Sequence, residues 1–237
     1  MDIKLSRRMQ AVADMVQEKR VVDIGCDHAF VSIYLASKPH IERVIAMDVK
    51  KGPVDIARAN VAAYKLANKI EVRMSDGFGK LEKGEANAAI IAGMGGYLMI
   101  DILEAGRMHL QDGISLILQP QSDIKAVREY LTKVGYVISH EDMLIEEGKY
   151  YTVIRAVPCG DNIAGYSEEE LCYGPILLDR KHPVLKDYLE YISDKNLEII
   201  DKLNSSGSEK SKDRVNQLIK EKENIDNILQ QIFNESI

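Results

Sequence analysis

Short apolar runs and helical patterns alternate through the first half of this 237-residue chain. The runs are Arg20–Gly25, Arg43–Asp48, Ile70–Met74, Ala88–Ala92 and Ile114–Leu118, and helical patterns lie near residues 29–37, 53–67, 97–109 and 122–134. Strand-length runs separated by helices predict a parallel sheet covered on both faces. Pro53 suits the first turn of its helix, and Gly135 suits the position just past the last one. After Gly135 the pattern changes. Tyr136–Glu146 and Tyr150–Val157, separated by Glu147-Gly148-Lys149, read as an antiparallel hairpin. The expected fold class is α/β: a seven-stranded, mostly parallel sheet with a terminal antiparallel hairpin. A short basic amphipathic segment, Leu5 to about Glu18, precedes it, with Met9, Val12, Ala13 and Val16 on one face.

Beyond Pro158-Cys159-Gly160 the chain becomes helical and charged. Leu185, Leu189, Ile192, Asn196, Ile199 and Leu203 form one heptad seam, and Val215, Leu218, Lys222, Ile225, Leu229 and Ile232 form another. The polar stretch Asn204–Ser208 reads as the turn between them. The expected domains are residues 1–159, carrying the sheet, and 160–237, an antiparallel helical hairpin of coiled-coil type. Charge divides at the same place. Residues 1–159 carry 21 basic and 21 acidic side chains, whereas 160–237 carry 10 and 16, so the net charge of −6 lies in the helical part. A neutral sheet domain can still present a basic face to a nucleic acid.

No run of about eighteen apolar residues predicts a membrane span, and the N-terminus lacks the apolar core of a signal peptide. Cys26, Cys159 and Cys172 are scattered, so neither a disulfide framework nor a metal site is expected. A reducing cytoplasm fits this usage.

Four strand ends carry candidate chemistry. The first run enters Asp23-Ile24-Gly25-Cys26-Asp27-His28, where a glycine lets the backbone approach a ligand closely. A carboxylate at Asp23 suits a cationic ligand end, such as the amino group of a methionine, and suits a pyrophosphate poorly. The alternative is a plain turn with Asp27 as a helix cap. Asp48 ends the second run, where an acid can accept from a ribose diol, and Val49 follows it. Ser75-Asp76-Gly77 follows the third run, where Asp76 can accept from an exocyclic adenine amine or merely make a turn. Gly93-Met94-Gly95-Gly96 follows the fourth, leaving room for something flat or close. Ligands of open parallel sheets bind at these carboxyl ends, and together the four signals favour an S-adenosyl-L-methionine crevice over separate turns.

Leu5-Ser6-Arg7-Arg8, Asp23 through Ala29, Gly93-Met94-Gly95-Gly96 and Leu118-Gln119-Pro120-Gln121 resemble the bacterial tRNA (adenine-22-N1)-methyltransferase family. The resemblance covers nearly the whole chain, the helical arm included. Cys26 stands where a smaller residue, often serine, is usual. The resemblance implies a Rossmann-like methyltransferase domain with a coiled-coil domain, and methyl transfer to N1 of an adenine in the D-loop region of tRNA. It further implies that Asp23, Gly25, Asp27 and His28 hold the methionine end, Asp48 the ribose, and Asp76 with Gly77 the adenine, with Cys26 and Val49 also among the cofactor-binding residues. Gly93, Met94 and Gly95 would line the floor beside the sulfonium.

Adenine N1 carries an in-plane lone pair, so aligning it with the methyl group is the main catalytic task. Asp27 and Gln119 are the candidate catalytic residues, as groups that could stabilise the cationic product. Lys4, Arg7 and Arg8 are candidate phosphate contacts, and Tyr97 a candidate stacking partner for the base. The partner expected is tRNA, with no membrane and no metal, for a monomer or a dimer formed through the helical arm. A small-molecule methyltransferase of the same fold and a non-catalytic cofactor-binding module are the alternatives. An NAD-dependent oxidoreductase is disfavoured by Asp23, by Asp27 and His28 where glycines would stand, and by the hairpin.

Overall fold

A computed structural model describes residues 3–160, 165–206 and 211–233. The first compact unit begins with α1 (Arg7–Asp14), capped by Ser6, whose hydroxyl accepts from the Met9 N–H. Then come β1 (Arg20–Ile24), α2 (Phe30–Ala36), β2 (Arg43–Asp48), α3 (Lys51–Ala63), β3 (Ile70–Met74) and β4 (Ala88–Met94). Next are α4 (Gly96–Ala105), α5 (Arg107–Gln111), β5 (Ser115–Pro120), α6 (Ile124–Lys133), β6 (Tyr136–Glu146), β7 (Lys149–Pro158) and α7 (Glu168–Tyr173). The second unit holds α8 (Pro175–Asp179, mostly), α9 (Pro183–Ser206), α10 (Ser211–Ile228) and a π-helical turn (Leu229–Phe233).

The seven strands form one sheet in the order β3-β2-β1-β4-β5-β7-β6. The first five are parallel, β7 runs antiparallel to β5, and β6 pairs antiparallel with β7 and so runs in the direction of the first five. This matches the expected architecture. The order reverses between β1 and β4, so their carboxyl ends diverge and open a crevice there. Alternate residues of each central strand feed the two faces. Val22, Ile45, Ala89 and Leu116 pack with Met99, Leu103 and Val127 on one side, and Val21, Val44, Ala88 and Ile117 join cores with Val12, Ile33 and Ala57 on the other. The hairpin turn is tighter than the three-residue separator read from the sequence. Only Glu147 (φ 50°) and Gly148 (φ 73°) lie between the strands. Two consecutive left-handed residues give the turn whose twist matches that of the strands.

Three expectations change. The helix expected near 97–109 is broken at Gly106, where a side chain would overlap the Phe78 ring, itself stacked on His109. The first unit runs to Ile176 instead of closing at residue 159. Arg128 binds the Leu171 and Cys172 carbonyls, and the Ile138 N–H donates to the Tyr166 hydroxyl at 3.0 Å, so residues 166–172 are tied to α6 and β6. In the second unit α9 and α10 form the expected helical pair, with the Ser193 hydroxyl donating to Asp226 at 2.8 Å. Its seam follows Leu185, Leu189, Ser193, Asn196 and Ile200 and leaves Ile199 39% exposed. That spacing of four, four, three and four residues is longer on average than the 3.5-residue heptad. α9 continues through Ser206, and Gly207 and Ser208 of the expected turn lie outside the described residues. No described helix is long and apolar enough to cross a membrane. Among the described residues no group of three His, Cys, Asp or Glu is placed to hold a metal ion.

Candidate active site

The crevice at the β1/β4 divergence has a volume of about 690 Å³, within the range of small-molecule sites. It is lined by the ends of β1 to β4: Asp23 with Gly25 to His28, Asp48 with Val49, Ser75 to Gly77, and Gly93 with Met94. The strand order puts Asp23 and Gly93 at one end of it and Asp48 and Asp76 at the other.

The loop after β1 is held by its own backbone. The N–H groups of Gly25 and Cys26 both donate to the Met47 carbonyl, at 2.8 and 2.9 Å. Gly25 has φ 75°, and a Cβ there would overlap Met94 Cε, so the glycine leaves room for the methionine that borders the crevice beside it. Asp27 (φ 48°) and Ala29 (φ 60°) are left-handed too. This winding carries the chain into α2 without a side-chain cap, since Ala29 occupies the cap position. The capping role weighed for Asp27 is therefore absent. Its side chain is 72% exposed, with one oxygen 3.6 Å from His28 Nε2. Replacing Gly25 by alanine should cost about 1–2 kcal/mol of stability through the left-handed backbone and displace Met94. Thermal melting and ligand calorimetry on the variant check both effects, with a tenfold loss of affinity expected.

Asp23 is 5% exposed and accepts a hydrogen bond of 2.6 Å from the Ser32 hydroxyl. Burial pushes its carboxyl up to about 6, against the pull of the Ser32 bonds and with help from Asp48. Among the described residues Asp23 forms no salt bridge, and a buried carboxylate of this kind is set for a cationic partner. Ser32 was missed from sequence. Its signal is a polar residue among Ala29, Ile33 and Ala36 on the buried face of α2. Burial pushes the Cys26 thiol far up as well, with Asp23 and Asp48 adding to it, so Cys26 is a neutral wall residue.

Asp48 is fixed from two sides. One oxygen accepts from the Lys50 N–H at 2.9 Å and the other from the Asp27 N–H at 3.2 Å. These bonds join the β1 and β2 loops and orient the carboxylate, whose remaining lone pairs are free to accept from a diol. At β3 the Ser75 hydroxyl donates to the Gly77 carbonyl and accepts from the Lys80 N–H, both at 3.0 Å, which shapes the turn presenting Asp76.

The structure separates the remaining candidates. Gln119 is fully buried in β5 and does not border the crevice. Its Oε1 accepts from the Gly93 N–H at 3.1 Å and from Arg8 Nη1 at 2.7 Å, so it supports the wall from behind. Gly95 also lies off the lining, capping α4 beside the Ser122 hydroxyl. Arg7 turns to the hairpin, its N–H donating to Glu146 at 2.7 Å and Nη1 to the Ile145 carbonyl at 3.3 Å. Lys4 is exposed, and Tyr97 is 64% exposed and off the lining. Arg8 alone of the three basic residues borders the crevice. Phe30 and Leu98, which sequence reasoning did not single out, line it too, as does Gln121 of the Leu118-Gln119-Pro120-Gln121 motif.

A family model described as tRNA (adenine(22)-N(1))-methyltransferase matches residues 21–225. The tRNA (adenine(22)-N(1))-methyltransferase of Bacillus subtilis (strain 168) is 39% identical over 188 residues, covering 77% of this chain and 79% of the relative. The crystal structure of the B. subtilis m1A22 tRNA methyltransferase superposes with a TM-score of 0.83 at 33% identity, covering 96% of this chain and 100% of that one. A Streptococcus pneumoniae structure in complex with S-adenosyl-L-methionine gives 0.84 at 29% identity, covering 95% and 100%. The crevice geometry and these likenesses agree, and the chain belongs to the tRNA (adenine(22)-N(1))-methyltransferase family.

Proposed function

We propose that this chain transfers the methyl group of S-adenosyl-L-methionine to N1 of adenine 22 in the D-loop region of tRNA. The observation that carries the reading is the convergence of Asp23, Asp48, Asp76 and Gly93, each at the end of a different strand, on one crevice at the reversal of strand order. The crevice fits the cofactor's chemistry. The buried Asp23 carboxylate meets an ammonium, Asp48 meets a ribose diol, and Asp76 with Gly77 meets the edge of an adenine. Gly25, Cys26, Asp27, His28, Val49 and Met94 supply the walls.

When bound, S-adenosyl-L-methionine supplies a methyl group already activated by the sulfonium charge. The protein's residues need not remove a proton from adenine N1, whose lone pair lies in the ring plane. Their task is alignment. Gly93 and Met94 form the wall beside the reacting end, and Gln119 fixes that wall through the Gly93 N–H. Gln119 is thus a positioning residue. The reaction leaves positive charge on the base, and Asp27, exposed at the crevice, is the carboxylate placed to stabilise it. N1 lies on the Watson–Crick edge, so a paired adenine must leave its helix first. Phe30 and Leu98, exposed apolar residues of the lining, give such a base a surface to rest on, with Tyr97 nearby in sequence. Lys4 and Arg7 contact tRNA phosphates, and the reaction takes place in the cytoplasm.

Labelled methyl transfer to an unmodified tRNA transcript tests this. Label is expected on a transcript with adenine at position 22 and not on one with guanine there. Equal labelling of both transcripts would exclude the assignment.

A further inference from the structure

We infer that the Gln121 side-chain amide reads the target base, accepting from the N6 amine of adenine and donating to N7, so that N1 is left free for methylation. The inference rests on the function proposed above and adds the residue that tells adenine from cytosine. Adenine N1 and cytosine N3 are alike to the reaction, each an in-plane lone pair beside an exocyclic amine. N7 belongs to the purine alone, so a protein group that donates to it separates the two by more than size.

Three observations carry it. First, Gln121 stands on the side from which a base has to enter. Asp23, Asp48 and Asp76, which fit the cofactor, stand on or just after β1, β2 and β3. An in-line displacement brings the nucleophile from the opposite side of the methyl group. Gln121 follows β5, beyond β4 in the sheet, and borders the crevice. Second, its backbone is fixed to the wall beside the reacting end. Pro120 pairs with Met94, and the Gln121 N–H donates to the Met94 carbonyl at 2.8 Å. Gln121 Nε2 stands 3.8 Å from where a Cβ on Gly93 would be. Third, the amide is free. Gln121 is exposed, and among the described residues its side chain has no hydrogen-bond partner. The other polar side chain beside Gly93 is Arg8, whose Nη1 is already bound to Gln119 Oε1. A neutral amide also suits a base that becomes cationic better than a guanidinium does. Methylation leaves charge on N1 that the ring shares with N6, so the bond from N6 to Gln121 Oε1 strengthens as the reaction proceeds.

Methyl transfer by the full chain, measured as kcat/KM on two tRNAs, tests this. One tRNA carries adenine at position 22, and the other carries 7-deazaadenine there, which keeps N1 and N6 and replaces N7 by C–H. Gln121→Ala is expected to lower kcat/KM on the adenine tRNA about 10- to 100-fold. The 7-deaza change is expected to cost the unaltered chain about fivefold more than it costs Gln121→Ala, which has no N7 bond to lose. Comparing the two chains cancels the effect of the deaza ring on N1 itself. Calorimetry is expected to place the variant's affinity for S-adenosylhomocysteine within about twofold of the unaltered chain's. Equal effects of the 7-deaza change in both chains would overturn the inference. A loss of S-adenosylhomocysteine affinity as large as the loss of kcat/KM would overturn it too, since Gln121 would then act only through the Gly93 wall on the cofactor. If the unaltered chain labelled neither tRNA, the proposed function itself would fall, and the inference with it.

Discussion

Asp23→Asn is expected to weaken S-adenosyl-L-methionine binding by at least about 30-fold while making the ligand-free chain more stable. The two effects share one cause. Asp23 is buried, and the Ser32 bonds only partly offset the loss of water around its charge, so its carboxyl is pushed up to about 6 from an ordinary 3.8. Holding an ionised group there corresponds to a cost of up to about 3 kcal/mol at neutral pH. Asparagine keeps the shape and removes that cost. It also removes the anion that meets the ligand's ammonium, and loss of one partner of a desolvated charge pair costs about 2–5 kcal/mol of binding. Urea unfolding of the ligand-free proteins and calorimetry with S-adenosylhomocysteine measure the two effects separately. An asparagine variant that binds within threefold of the unaltered chain would exclude the ammonium role.

The pH dependence follows in sign. The folded chain holds the Asp23 proton to a higher pH than the unfolded chain. The contribution of this group to stability is therefore complete below about pH 4 and is lost as pH rises towards about 6 and beyond. Ligand binding runs the other way, because the ammonium selects the ionised carboxylate. Affinity should fall as pH drops below about 6, with a proton released on binding in that range. The asparagine variant should lack both slopes.

The sheet was legible because its local patterns agree with its packing. β2, β3 and β6 have the bounds expected from their apolar runs, and the change from helical spacing to a hairpin after Gly135 marks the switch to antiparallel pairing. The cofactor side was legible for a topological reason: in a parallel sheet, polar residues at successive strand ends converge. What local pattern could not show were contacts made across the chain. Gly106 is tolerated within a helical pattern, and only the Phe78 ring, brought from the β3–β4 connection, explains why no side chain fits there. Gln119 sits at a strand end like the other site residues. It belongs to β5, one strand beyond the divergence, and so it faces the wall's interior. Arg8 lies far in sequence from both Gln119 and Tyr151, which turn it from the surface towards the crevice.

The largest effect on stability is expected at the joint between α6, β6 and α7, away from the crevice lining. Arg128 and Glu141 form an almost fully buried ion pair, with Arg128 Nε donating to Glu141 Oε1 at 2.9 Å. Arg128 Nη1 also donates to the Leu171 and Cys172 carbonyls at 2.9 and 3.0 Å, and Glu141 Oε2 accepts from the Ile176 N–H at 3.1 Å. Gly174, at φ 101°, passes directly over the pair. A Cβ there would stand 2.5 Å from Glu141 Oε2 and 2.9 Å from Arg128 Nη2. Removing one partner leaves a charge and several backbone groups buried without their bonds. Arg128→Ala is therefore expected to cost about 3–5 kcal/mol, a fall in melting temperature on the order of 10 °C for a chain of this size. Gly174→Ala should destabilise as well, because it strains the backbone and forces the pair apart. The double change Arg128→Met with Glu141→Leu discriminates the cause. If the cost arises from an uncompensated buried charge, the double variant should be more stable than Arg128→Ala, since apolar groups of similar volume replace a matched pair at little loss. If the cost arises from the severed carbonyl bonds to α7, the double variant should be no better than the single one, and residues 166–172 should become open to protease in both.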